Sequence, residues 1–225
     1  MIRTIRAKYW LPLEPKHAAG AWEALDAGYG DPKRAYHSWR HIADLMEKLD
    51  RFSHLAARKD LVAIACFWHD AVYLTRDEAG AERSDELNVR ESASLFQQYA
   101  AMDSADVDAV TDLIMATLDH TGASPSKQHY PGFLGDFDLL LDLDLSSLGA
   151  HWPEFKANFN RIRFEHEWLP EPVFNERRLR SLESFARVGA RLYRRSETRE
   201  EYGAAATANL ARYIRELGQG APGGP

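Results

Sequence analysis

The segment Leu61–Tyr73, LVAIACFWHDAVY, is an apolar run that ends abruptly in a histidine and an aspartate, His69 and Asp70. Leu61, Ile64, Ala65 and Trp68 fall at helical spacing, so they form one stripe facing a core. At the end of such a helix, His69 and Asp70 bring an imidazole nitrogen and a carboxylate oxygen into an apolar wall. An unpaired carboxylate there is costly, and the usual remedies are an arginine or a metal ion. The rest of the chain must supply one or the other.

Outward from this stretch, helical periodicity recurs in almost every window and Pro/Gly clusters mark the breaks. The spacing predicts a helix over 15–29, ended by Gly28, Gly30 and Pro32. A second runs from about Tyr36 to His54, with Ile42, Leu45, Met46, Leu49 and Phe52 on one side. A fourth, after the helix of the opening stretch, covers about Glu82 to Ala100. Asp103 or Ser104 caps a fifth, whose apolar face is Val107, Val110, Ile114 and Leu118 and which ends near His120. The connection over 121–133, TGASPSKQHYPGF, is rich in turn formers and long enough to be a functional rim. One or two short helices follow in GDFDLLLDLDLSSLG, then helices over 151–168, 175–195 and 197–217. The tail 218–225, GQGAPGGP, has nothing to bury and reads as disordered. No internal repeat or linker splits the chain, so the expectation is one all-helical, all-α domain over 1–217.

Composition narrows the function classes. The 225 residues carry 45% hydrophobic content, enough for an ordinary core, and a net charge of −6. That charge gives no general attraction to a nucleic-acid polymer or an acidic membrane. No apolar run approaches the roughly 20 residues of a membrane helix. The start MIRTIRAKYW has no signal-peptide pattern, and the single cysteine, Cys66, cannot form an internal disulfide and reads as a buried, inert thiol. A reduced, cytoplasmic protein is the default. Neither a Gly-Lys phosphate loop nor a Gly-x-Ser-x-Gly elbow is present, which argues against nucleotide-driven motors and serine hydrolases. The apolar C-terminal helices could support a homodimer.

Candidate metal ligands come from separate helices: His37 and His41, four residues apart on one face, His69 with Asp70, His120, and the acidic group Asp138, Asp142 and Asp144. Asp142 and Asp144 lie in the apolar run LLLDLDL, where an aspartate should be paired or coordinated. A mixed imidazole and carboxylate set suits divalent Mn, Fe, Co, Ni or Zn, whereas Mg alone prefers more oxygen.

In this order the residues resemble the HD superfamily of metal-dependent phosphohydrolases. The resemblance is closest to a branch with a YHxxxHI element, an apolar run ending FHDAVY, a Glu-x-Ser element and an LDxDLSxLG element. Here these are Tyr36–Ile42, Phe67–Tyr73, Glu82–Ser84 and Leu141–Gly149, and the similarity spans about 30–215. The branch usually has an asparagine and an acidic residue just before Glu-x-Ser, where this chain has Gly80 and Ala81. The resemblance implies an HD-type helical bundle in which His41, His69, Asp70 and one of Asp142 or Asp144, with Asp144 favoured, hold the ion.

It further implies a hydrolase acting on a small phosphorylated substrate, foremost a nucleotide. Asp70 would accept a proton or orient the attacking water, and Glu82 would hold the water or the leaving group. Arg40 and Arg83 would bind phosphate oxygens, and His120 would contact substrate. His37 reads as an outer hydrogen-bonding residue or, with His120, as part of a second metal site. His129, His151 and His166 read as loop or solvated-face residues. Trp152, Phe155, Phe159, Phe164 and Trp168 read as core. Two other readings stay open: a di-iron oxygenase on the same fold, and a non-catalytic helical module with a structural metal or none.

Overall fold

A computed structural model describes residues 1–122 and 134–219. The protein is all-α: the described residues form ten α-helices and no strand. The helices are α1 (Ile2–Ile5), α2 (Ala21–Tyr29), α3 (Trp39–Arg51), α4 (Lys59–Trp68), α5 (Asp85–Tyr99), α6 (Ser104–Ala116), α7 (Leu134–Asp144), α8 (Trp152–Glu165), α9 (Glu171–Val188) and α10 (Ser196–Gln219). Most of the loop expected over 121–133, His129 with it, and the end of the expected tail lie outside the described residues. The chain divides into two compact units, Met1–Leu141 and Asp142–Pro225. The division falls inside the continuous helix α7, where no change of composition marks it.

In the first unit α4 is the central helix. Every residue from Leu61 to Trp68 is buried, not only the stripe that the spacing predicts. The reason is enclosure: α3, α5 and α6 all pack on α4, and a helix apolar on all sides has no solvent face to keep polar. Helix α3 buries Ile42, Leu45, Met46 and Leu49 at the expected spacing, and His41 beside them. Burial of each such aliphatic side chain is worth about 1.5–3 kcal/mol.

The helix starts are fixed by oxygen acceptors. The Asp103 carboxylate takes the Asp106 N–H at 2.9 Å, as its cap position predicts, and Ser84 Oγ takes the Leu87 N–H at 3.2 Å. The approach to α4 is held from far away in sequence. Asp136, 1% exposed, accepts from the N–H groups of Ala57 at 2.7 Å and Arg58 at 2.9 Å.

His17 ties the N-terminal segment to the far end of α4. Its Nδ1 donates to the Leu13 carbonyl at 2.9 Å, and its Nε2 accepts the Trp68 indole N–H at 3.1 Å. The ring stands against Trp10 and stacks on Trp68. Burial lowers the His17 pKa below its usual value, and the nearby charge of Lys16 works the same way, while the Leu13 carbonyl opposes them. The folded state therefore holds His17 neutral where the unfolded chain protonates it. Stability from this residue is complete above about pH 6.5 and falls as the pH drops through that value.

In the second unit the organising residue is Asp142. It is fully buried and accepts from Arg194 N–H at 2.7 Å, Arg195 N–H at 2.9 Å and Thr198 Oγ1 at 2.5 Å. Of the two roles the sequence left open for Asp142, the structure gives it the capping one, at the start of α10. Asn209 donates to the carbonyls of Leu148 at 2.9 Å and Ala150 at 2.8 Å. Gly149 is required beside it, because a Cβ there would lie 2.7 Å from Tyr202 Cβ. Phe155 and Phe159 are core, as expected, and pack on Tyr213, whereas Phe164 is exposed.

Two outcomes test this description. Replacing His17 with Phe should flatten the loss of melting temperature between pH 7.5 and 5.5; an unchanged slope would mean that His17 is not the group responsible. Asp142→Ala leaves the part-buried N–H groups of Arg194 and Arg195 without their acceptor and breaks the bond from the Thr198 hydroxyl to the carboxylate. It should lower the unfolding free energy by about 3 kcal/mol in urea titration, and a loss below about 1 kcal/mol would contradict the capping role.

Candidate metal centre

His41 and His69 reach one point from two helices. His41 lies in the first turns of α3, on the side that packs against α4, and His69 is the residue at which α4 ends. Asp70 follows it. His41 and His69 are 5% and 1% exposed, so both imidazoles sit inside the unit. The Asp70 side chain is 18% exposed.

The local hydrogen bonding sets the chemistry. His69 Nδ1 lies 3.0 Å from the Cys66 carbonyl oxygen, which only accepts, so that nitrogen carries the proton. In the neutral ring, Nε2 then presents a lone pair. That lone pair faces Asp70 Oδ2 at 3.0 Å and His41 Nε2 at 3.2 Å, and His41 Nε2 lies 3.8 Å from the same carboxylate oxygen. The His69 nitrogen and the Asp70 oxygen repel at that distance unless a proton or a metal ion stands between them, while His41 Nε2 faces the same point as donor or acceptor according to its tautomer. These three residues are the group of metal-competent side chains found among the described residues, with ligand atoms within 4.8 Å of one another.

The donor set fits a divalent ion. A triangle with sides of 3.0, 3.2 and 3.8 Å has its centre about 2 Å from each corner, close to the about 2.0–2.1 Å of metal–imidazole bonds. Two imidazoles and a carboxylate suit Mn, Fe, Co, Ni or Zn. The tautomer is fixed by a backbone carbonyl, the usual device for a ligating histidine.

The surroundings keep this geometry in place. The Tyr36 ring stacks on His41 with centroids 5.2 Å apart, and His37 stacks on Tyr73 at 3.6 Å. The chain leaving Asp70 is strapped to α5. Ser92 Oγ takes the Val72 N–H at 3.0 Å, and Asn88 pairs with both the N–H and the carbonyl of Leu74, at 3.1 and 2.9 Å. Tyr29, fully buried, donates its hydroxyl to the Phe67 carbonyl at 2.9 Å. Burial, and then the charge of Asp70, hold its pKa well above the usual value, so it keeps its proton.

Of the residues singled out in the sequence, the structure brings His41, His69 and Asp70 together. His37 and His120 fall outside that group; His120 is half-buried just past α6. Arg40 is exposed on the first turn of α3. Arg83 is engaged within its own segment, donating to Asn88 Oδ1 at 2.8 Å and pairing with Glu91. Glu82 is exposed, in a bridge with Arg76. Asp138 and Asp144 are half-buried on α7, and Asp144 belongs to the second unit. At the departure from the branch pattern, Gly80 has φ 83° in a turn closed by Asp77. Asparagine is among the few other residues that tolerate this backbone, so the turn accepts either.

Sequence reasoning passed over Arg34, His17 and Asp136, which act on backbone or indole groups distant in the chain. No spacing signal marks such residues. No family model matches the chain, and no curated protein is significantly similar to it.

If the three side chains bind one ion, adding Mn2+ at a hundred times its Kd stabilises the metal-free protein by about 2.7 kcal/mol. The melting temperature should then rise by about 5–10 °C. His41→Ala and His69→Ala should lose that rise; a full rise in both variants would place the ion elsewhere.

Proposed function

We propose that the protein is a metal-dependent phosphohydrolase of the HD type, acting on a small phosphorylated molecule and foremost a nucleotide. The observation that carries the reading is the convergence of His41 Nε2, His69 Nε2 and Asp70 Oδ2 on one point. The resemblance names Asp144 as a further donor, and Asp144 is not one of the three residues in that group. A divalent ion held there would supply a Lewis acid for phosphoryl oxygens and lower the pKa of a water molecule.

The chain's own groups account for the remaining work. His69, with its proton on Nδ1 held by the Cys66 carbonyl, offers its Nε2 lone pair, and His41 turns Nε2 to the same point. Asp70 is the least buried of the three, so its carboxylate stays within reach of water that it orients and deprotonates. With Arg83 engaged by Asn88 and Glu91, the exposed residue Arg40 is, of the two arginines the sequence singles out, the one to fork onto phosphate oxygens. Glu82, also exposed, serves the water or the leaving group, and His120 serves the substrate.

The di-iron oxygenase reading requires more histidines at the ion, and neither His37 nor His120 belongs to the three-residue group. No helix among the described residues is long and apolar enough to cross a membrane.

The test is hydrolysis of a panel of nucleoside monophosphates, cyclic nucleotides, sugar phosphates and a chromogenic phosphodiester by Mn2+-loaded protein. Activity should vanish with chelator and return with metal, and Asp70→Asn should lower kcat by about a hundredfold or more. A loaded, folded protein that hydrolyses none of these esters would overturn the proposal.

A further inference from the structure

The peptide that carries Asp70 is gripped from the side opposite in role to the metal ligands. Arg34 donates from Nη1 to the Asp70 carbonyl oxygen at 2.9 Å and from Nη2 to the Ala71 carbonyl oxygen at 3.0 Å. Both oxygens lie just past the end of α4, where carbonyls lack intrahelical donors and the negative end of the helix dipole is felt. A guanidinium is the side chain that can hold two neighbouring oxygens in one plane, because its donors form a rigid fork.

Two residues of α2 complete the grip. A Cβ at Gly28 would lie 2.5 Å from the Ala71 carbonyl oxygen and 3.3 Å from Arg34 Nη1, so α2 approaches this peptide more closely than any side chain at that position allows. The next residue, Tyr29, caps the Phe67 carbonyl at 2.9 Å, and the Arg34 guanidinium stands 5.7 Å from its ring centroid. Three carbonyls around the His69–Asp70 corner are thus held by two side chains, with Gly28 making the room.

We propose that Arg34 is a positioning residue of the His41–His69–Asp70 centre, fixing the peptide of Asp70 and so the distance of its carboxylate from the two imidazoles. This rests on the metal reading above. Asp70 has no strand or helix of its own to orient it, since α4 ends at Trp68. A ligand constellation tolerates only about 0.5 Å of displacement, and Arg34 bonds to the Asp70 carbonyl directly from another segment.

The experiment is calorimetric titration of metal-free protein with Mn2+, for wild type, Arg34→Gln, Arg34→Lys and Gly28→Ala, with thermal melts of each in chelator. Arg34→Gln should weaken Mn2+ binding by about 10–100-fold, the range for residues that orient metal ligands. Arg34→Lys should fall between it and wild type, and Gly28→Ala should weaken binding by pushing on the same carbonyl. With Co2+ in place of Mn2+, the visible absorption bands of the Arg34 variants should shift. A purely structural role would lower the melting temperatures and leave the Kd and the Co2+ spectrum unchanged, which overturns the proposal. If Arg34→Gln does not fold, wild-type affinity in both Arg34→Lys and Gly28→Ala overturns it equally. Failure of wild type itself to bind Mn2+ would overturn the metal reading, and this inference with it, a result distinct from intact binding in the variants.

Discussion

A carboxylate oxygen of Asp70 stands 3.0 Å from a histidine nitrogen whose ring already carries its proton on the other side, committed to the Cys66 carbonyl. Two lone pairs at that distance are held together only by a cation, and a second imidazole closes the triangle at 3.2 Å. Much of the first unit serves to maintain this arrangement. The buried run Leu61–Trp68 of α4 gives it a rigid platform, α3 brings His41 to it, and α5 straps the departing chain through Ser92 and Asn88. Burying polar groups in this way is costly unless each finds its partner, and the Cys66 carbonyl, Ser92 and Asn88 supply such partners around the centre.

Buried carboxylates appear a second time, in a different use. On α7, Asp136 and Asp142 each place both oxygens on backbone N–H groups just ahead of a helix, α4 in one unit and α10 in the other. Charged hydrogen bonds of this kind are worth about 1.5–3 kcal/mol each. They separate two kinds of aspartate in one protein: Asp136 and Asp142, whose oxygens are held by N–H and hydroxyl donors, and Asp70, whose Oδ2 faces imidazole nitrogens. The distinction follows from bonding partners, and Asp70 is also the more exposed of the three.

The helices and the core of the centre were legible in the sequence because their signals are local. Ile42, Leu45, Met46 and Leu49 repeat at the helical period, Asp103 stands where a cap belongs, and His69–Asp70 interrupts an apolar run. The short helix α1 was missed, having too few residues to show a period, and α4 was read as one stripe although all its faces are buried. Other residues act across long stretches of chain. Asp136 reaches a backbone 79 residues away, His17 an indole 51 away and Arg34 a carbonyl 36 away. Their partners are groups that every residue or any tryptophan offers, so nothing in the sequence singles them out. Asp142 was visible as an anomaly in LLLDLDL, but its role depended on which N–H groups the fold would bring to it.

The most direct measurement is anomalous X-ray diffraction from crystals of the protein grown with Mn2+. A peak is expected about 2 Å from His41 Nε2, His69 Nε2 and Asp70 Oδ2, with His69 Nδ1 still on the Cys66 carbonyl. A loaded crystal with no peak at that point, or with the three side chains turned apart and an ion bound elsewhere, would contradict the metal reading.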